Sequence, residues 1–202
     1  MDLILNGESQ SFDAGDCANL AELVARAESL AGDGPCVVTA VEIDGEPLPA
    51  DELGNLEVRG IANVKRIAIV RRPRREVAIA VLGQGADYCG QIVGAIQQTV
   101  DHYRANRIQQ ASGVLADILD SISVLTGITA SISEDLPTEA KTLSDLQGNI
   151  QPWLEAMLEA QVVQDPIQIA DLLEYEIAPH IEGWGRAMRS AVPGSALSAA
   201  GR

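Results

Sequence analysis

His102 and His180 are the two histidines of the chain, and each has a carboxylate close in sequence: Asp101 beside the first, Glu176 four residues before the second. Imidazole and carboxylate together can hold a metal or relay a proton. In a helical interior such a site is built from inward carboxylates plus a Glu-x-x-His pair three residues apart. No Glu-x-x-His occurs here, and Pro179 stands between Glu176 and His180. A second group, Asp171, Glu174 and Glu176 around Tyr175, offers paired carboxylates of the kind used in acid–base catalysis when they are buried in a cleft. Asp171 and Glu174 share a helix face while Glu176 points elsewhere, so a solvated face is expected. Gly83-Gln84-Gly85 lacks both the third glycine and the Gly-Lys-Ser/Thr ending of a phosphate loop, and reads as a helix entry or hinge. Cys17, Cys36 and Cys89 are widely spaced, form no CxxC pair and have no histidine close by in sequence, which fits a reducing cytoplasm better than a disulfide framework or a thiol nucleophile. No residue is assigned a catalytic, metal-binding or cofactor-binding role, and a non-enzymatic protein is expected.

The remaining candidate is a cluster of cations. Lys65, Arg66, Arg71, Arg72, Arg74 and Arg75 hold six of the 14 basic residues in a chain of formal charge -15. Guanidinium groups at this density can anchor an acidic protein partner or a phosphate. They can equally form a solvated linker. The rest of the charge is acidic. Residues 1–75 carry 8 Lys/Arg against 13 Asp/Glu, and residues 76–202 carry 6 against 16. Such a surface repels nucleic acid and anionic membranes, and the 3% aromatic content leaves little for base stacking. The N-terminus lacks a charged n-region and a long apolar h-region, and no apolar run approaches the length of a membrane span. A soluble cytoplasmic protein with a protein partner, and with neither nucleic acid nor membrane, is expected.

The elements that would position these groups change character at Arg71-Arg72-Pro73-Arg74-Arg75. Before it, Met1–Leu5 reads as a strand, Asn6-Gly7 as a type I′ hairpin turn, and Ser9–Phe12 as the return strand. Asn19 caps a helix with Leu20, Leu23, Val24, Ala27 and Leu30 on one face, stopped by Gly32-Asp33-Gly34-Pro35. Val37–Ile43 is β-branched and reads as a central strand. Asp44-Gly45 makes a second tight turn. Pro47 and Pro49 keep the segment after that turn short or at an edge, and Val64–Val70 is the last strand.

After it, apolar residues recur at helical spacing in four stripes. The first runs from Tyr88 to Tyr103 and the second from Ile108 to Leu125, extending toward Ile132. The third runs from Leu143 to Leu158 and is interrupted by Pro152. The fourth runs from Ile169 to Met188, with Asp165-Pro166 as its start and Pro179 as a kink. Trp153 and Trp184 fall on these stripes and are expected in the core.

The segments "ILNGE" and "AVEIDGEPLP", with a helix between them, resemble the β-grasp sulfur-carrier proteins of thiamine and molybdopterin biosynthesis over residues 1–71. The resemblance implies a β-grasp fold. It does not carry the activity across, because those carriers end in Gly-Gly, whereas here the last strand runs into Arg71–Arg75 and the chain continues. The "DLLEYEIAPHIEGW" segment resembles helical C-terminal regions of uncharacterised bacterial proteins. The acidic helical part is also loosely similar to the flagellin export chaperone, by architecture and charge alone.

The expected architecture is therefore α+β. It has a β-grasp domain at 1–72, a basic linker at 73–83, an antiparallel four-helix bundle at 84–192 and a flexible tail at 193–202. The expected function is protein binding as an adaptor. The alternatives are an export-chaperone-like binder of a helical substrate, or a cofactor- or metal-binding enzyme with its site in the bundle.

Overall fold

A computed structural model of the protein describes residues 2–10, 17–29, 35–49, 52, 56–57, 60–61 and 64–192. The chain divides into two compact units, Met1–Val77 and Ala78–Arg202.

The first unit is a five-stranded mixed sheet with one helix. β1 (Asp2–Leu5) turns through Asn6 and Gly7 into β2 (Glu8–Gln10). Asn6 has φ 50° and Gly7 φ 85°, the left-handed pair that a type I′ hairpin requires. Asp44 and Gly45 repeat this device, at φ 53° and 93°, between β3 (Cys36–Ile43) and β4 (Glu46–Pro47). β5 (Arg66–Pro73) completes the sheet, whose strand order is β2-β1-β5-β3-β4. β1 and β5 run parallel, and every other pairing is antiparallel. The centre is therefore β5. The sequence expectation of Val37–Ile43 as the central strand is corrected: β3 has only the two-residue β4 outside it. Pro47 ends that outer strand, as a missing N–H should.

α1 (Leu20–Ser29) begins with a reciprocal cap. The Glu22 amide donates to Asn19 Oδ1 at 2.9 Å, and Glu22 Oε2 accepts from the Ala18 amide at 2.8 Å. Leu20, Leu23, Val24 and Ala27 bury against Leu3, Leu5, Val41, Ile67 and Ile69, which all face the same side of the sheet. Leu30, Gly32-Asp33-Gly34, the far end of the second strand and the tail at 193–202 lie outside the described residues.

The second unit is helical. α2 (Arg74–Arg104) follows β5 without an intervening loop. This corrects the basic linker expected at 73–83: Pro73 ends the strand, and 74–83 form the first turns of α2. Gly83 and Gly85 are interior helix positions, neither a hinge nor a helix entry. α3 (Ile108–Ser131) and α4 (Pro137–Val162) follow, then α5 (Pro166–Leu172), a π-helical turn (Leu173–Ile177) and α6 (Ala178–Ala191). α4 is a single helix with Pro152 in its interior.

Two of the connections are tight for an identifiable reason. Asn106 (φ 56°) and Gln164 (φ 56°) each close a helix in the left-handed conformation. The next residue's amide then reaches back along the helix, Arg107 to the His102 carbonyl and Asp165 to the Ala160 carbonyl. Asp165 is at once the residue after α4 and the cap of α5, accepting from the Ile167 and Gln168 amides.

The core is aliphatic, with Leu82, Ile96, Leu115, Ile118, Leu125 and Ile181 almost wholly buried around Trp184. Trp153 is only half-buried. α2 and α6 approach closely through glycine. A Cβ on Gly185 would lie 3.0 Å from Cys89 Cβ, and one on Gly85 would lie 2.8 Å from Met188 Sδ. Arg189 adds a 3.4 Å hydrogen bond to the Ala86 carbonyl and a 3.6 Å ion pair with Asp87. On the other side of α2, the Tyr88 hydroxyl bonds Ser121 of α3 at 2.8 Å.

Gly185→Val should destabilise the helical unit by about 2 kcal/mol, because the obstruction is a Cβ fixed to the opposite backbone. Gly113→Ala, where an added Cβ meets nothing within 4 Å, should stabilise it by up to about 1 kcal/mol through helix propensity. Urea denaturation followed by circular dichroism at 222 nm checks the opposite signs.

Candidate interaction surface

The six expected partner-binding cations differ in their surroundings. β5 alternates, so Ile67, Ile69 and Arg71 face α1, while Arg66, Ala68, Val70 and Arg72 face away. Arg71 is half-buried and donates from Nη1 to the Ala27 carbonyl at 3.1 Å, near the C-terminal end of α1. There a cation meets the carbonyls left over by the helix and the negative end of its dipole. The Arg71 amide is held by Asn6 Oδ1 at 2.8 Å. Arg71 is therefore a helix-capping residue of the first unit. Arg74 is half-buried, and its amide donates to the Pro35 carbonyl at 3.0 Å. The Lys65 and Arg66 amides are both fixed by Asp44 Oδ1, at 3.0 and 2.8 Å, with their side chains exposed. Arg72 and Arg75 are exposed.

The histidines and carboxylates resolve differently. Pro179 has no N–H to donate and its ring crowds the carbonyl of the preceding turn. The chain answers with the π turn immediately before it, in which the Ala178 amide bonds the Leu173 carbonyl five residues back. His180 Nδ1 lies 2.8 Å from the Glu176 carbonyl. The imidazole thus meets a backbone oxygen one turn back, and the carboxylate of Glu176 is not its partner. His102 Nδ1 and Trp184 Nε1 are buried with no hydrogen-bond partner. Among the described residues no three His, Cys, Asp or Glu side chains converge as a metal ion would require.

Asp171 and Glu174 do share a face, and Arg104 joins them from the end of α2. Its Nη2 contacts Glu174 closely and lies 3.7 Å from Asp171. Arg104 lies 70 residues from Glu174 in sequence, and no local pattern signals the pairing. Its hydrogen bonds, joined by one from Tyr175, hold the Glu174 carboxyl below the usual carboxylate range. Whatever this pair adds to stability is therefore complete above the ordinary Glu pKa and fades as pH falls through the lowered one. Cys89 is also explained by its surroundings. Burial pushes its thiol up to about 11, against a smaller opposing effect of Arg189.

The surface that stands out is on α3 and α4. α3 is long and apolar enough by composition to cross a membrane, yet only 28% of its most apolar stretch is buried. This corrects the expectation that no segment nears a membrane span; Asp117 and Asp120 interrupt the apolar run without making the helix polar. Ile108 on α3, and Leu158 and Val162 on α4, are 40%, 61% and 77% exposed. An open cleft of about 580 Å³ lies between the C-terminal end of α3 and the N-terminal half of α4, lined by Thr126, Ala130, Ala140 and Ser144 among others. Ile108 and Thr126, Ala140 and Leu158, and Ser144 and Val162 are each eighteen residues apart. Eighteen residues is five helical turns, so each pair shares a helix face. Ile108, Leu158 and Val162 thus lie on the helix faces that line the cleft, toward the opposite ends of α3 and α4.

A mixed sheet with one helix, followed by a helical unit bearing an uncovered apolar face, describes the chain by class. A family model, "Domain of unknown function (DUF8042)", matches residues 80–187. That is more than half of the chain and nearly all of the helical unit, and the chain belongs to this family. An "Uncharacterized protein" of Treponema pallidum (strain Nichols) is 24% identical over 192 residues, covering 89% of this chain and 92% of that protein. The likeness therefore extends across both units. No solved structure matches the chain.

Two outcomes are expected. Arg71→Ala should destabilise the first unit by about 1 kcal/mol, whereas Arg72→Ala, on the opposite sheet face, should change it by less than about 0.5 kcal/mol; thermal melts of the two variants make the comparison. In native protein, iodoacetamide should spare Cys89 while reacting with half-buried Cys17 and Cys36, and peptide mass mapping reads the difference.

Proposed function

We propose that this is a cytoplasmic, non-enzymatic protein-binding adaptor, built from a β-grasp unit and an antiparallel four-helix bundle, that engages its partner through the α3–α4 face. The β-grasp reading is supported by the strand order β2-β1-β5-β3-β4 with β1 parallel to β5 and the helix against one face. It also agrees with the resemblance of the first 71 residues to the sulfur carriers. The bundle reading is supported by the pairing of α2 with α3 at Tyr88 and Ser121, and with α6 at Gly85 and Met188. Short connections force neighbouring helices to run antiparallel.

The observation that carries the function is the exposure of Ile108, Leu158 and Val162 on one continuous face of two helices. Scattered apolar side chains on a surface need no explanation; an aligned set flanking a cleft is what a partner covers. An export-chaperone-like role is the narrower form of this reading, favoured by the acidic surface around that face. The enzyme alternative has less support. Among the described residues the buried polar residues of the interior are Thr99 and Thr129, each bonded within its own helix; His102 Nδ1 and Trp184 Nε1 are buried without partners but belong to no group of three metal-ligating side chains, and the buried thiol of Cys89 is protonated at neutral pH.

The test is affinity capture with the full-length chain from its native cytosol, comparing wild type with an Ile108→Ser, Leu158→Ser, Val162→Ser variant. All three side chains are exposed, so the variant should keep its thermal midpoint. A stoichiometric protein held by wild type and lost from the variant is expected. A partner retained equally by both would overturn this surface.

A further inference from the structure

We infer that the α3–α4 face takes a basic amphipathic helix, laid along the groove with its apolar residues on Ile108, Leu158 and Val162 and its Lys or Arg side chains among the flanking carboxylates. This rests on the reading of that face as a partner surface, and it names the partner's chemistry.

Charge leads to this occupant. α3 contains no Lys or Arg, and its charged residues are Asp117 and Asp120. α4 has a single cation, Lys141, which is paired with Asp145 at 2.8 Å. From residue 142 to the end of α4 every charged side chain is a carboxylate. Glu155 and Glu159 stand three residues before Leu158 and Val162 respectively, so each exposed apolar side chain has a carboxylate one turn away. Glu155 and Glu159 are themselves four apart, a like-charge spacing that costs helix stability in the free protein. Glu155 accepts a hydrogen bond from Gln151, which is neutral and leaves this charge in place. A cation from the partner relieves that repulsion and gains a charge-assisted hydrogen bond. An acidic helix would meet Glu155 and Glu159 along the α4 side and be rejected, whereas Asp117 and Asp120 lie off the Ile108–Thr126 face of α3.

Shape leads to a helix rather than a strand. The surface presented is the valley between two packed helices, with no free backbone edge to extend. Its two ends are eighteen residues apart along each helix, or about 27 Å. One helix of about five turns fills that length. The chemistry along the groove also sets a direction. One end is walled by Thr126, Ala130 and Ser144, and the other by Ile108, Leu158 and Val162. The docked helix therefore carries its large aliphatic residues toward one end and small or polar ones toward the other.

The test uses the full chain and two labelled eighteen-residue model helices, identical in their leucine face and differing in Lys or Glu on the flanks. Binding is read by fluorescence anisotropy, and location by hydrogen–deuterium exchange. The Lys helix should bind and slow exchange across 108–131 and 142–162, and the Glu helix should bind at least a hundredfold more weakly. The Ile108→Ser, Leu158→Ser, Val162→Ser variant should weaken the Lys helix at least tenfold. Glu155→Gln with Glu159→Gln should weaken it and flatten its salt dependence, while Asp117→Asn, on the opposite face of α3, and Tyr175→Ser, an exposed change on the π turn, should leave it unaltered. Equal binding of the two helices, or Lys-helix binding untouched by the serine variant, overturns the inference. A dimer in light scattering that the serine variant dissolves overturns it as well, but leaves the partner surface standing with a second copy as occupant. Absence of peptide binding, of self-association and of any captured partner sensitive to the serine variant removes the inference and the surface together.

Discussion

One seam of the helical unit, the approach of its first helix to its last, is set by glycine. α2 and α6 lie about a hundred residues apart in sequence, and between them the chain makes two long helices with nothing but short turns to guide them. Gly85 and Gly185 let the two backbones come close enough for Cys89 and Met188 to fill the space that side chains on those glycines would take. Arg189 secures the seam from α6 with a carbonyl and a carboxylate of α2. Helix propensity opposes glycine at both positions, at about 1 kcal/mol each. The interface returns that cost through dispersion contacts and burial, including that of Trp184 in the same part of the core.

The π turn is the second place where tertiary packing overrules local preference. Leu173 and Ile177 are fully buried on either side of it, and Ile181 continues the stripe. Without the extra residue, Pro179 would set its ring against the Tyr175 carbonyl and leave an unserved acceptor. With it, the helix keeps its direction of burial, and the His180 ring adds a contact to the Glu176 carbonyl. The exposed group of Asp171, Glu174 and Arg104 sits beside this irregularity and stabilises the free side of the same turn.

Much of this is legible in the residues. Asn6-Gly7 and Asp44-Gly45 announce their turns because glycine and its neighbour must take positive φ. Asp165-Pro166 announces a helix start, and Ile169 to Met188 trace the buried stripe. The hidden features are either tertiary or a matter of competing signals. Gly83 and Gly85 read as a break because propensity cannot see the helix opposite. Gln164 in a left-handed cap carries no compositional mark. Arg104 finds its carboxylates far along the chain. Arg71 is masked by its basic neighbours, although the alternation that puts Ile67 and Ile69 on the α1 face puts Arg71 there too. The aliphatic stripes mark helices, but a stripe does not say whether its own chain covers it. For Ile108, Leu158 and Val162 it does not.

The two aspartates of α3 have a consequence for transfer into a bilayer. Nine of the helix's 24 residues are Ile, Leu or Val, and each favours transfer into a bilayer by a few tenths of a kcal/mol. Asp117 and Asp120 stand at its middle, where each opposes transfer by about 2.5–3.5 kcal/mol. They outweigh the aliphatic gain. A segment whose aliphatic content alone favours a bilayer thus carries a charge cost that opposes transfer, and the same two charges remain on the finished surface.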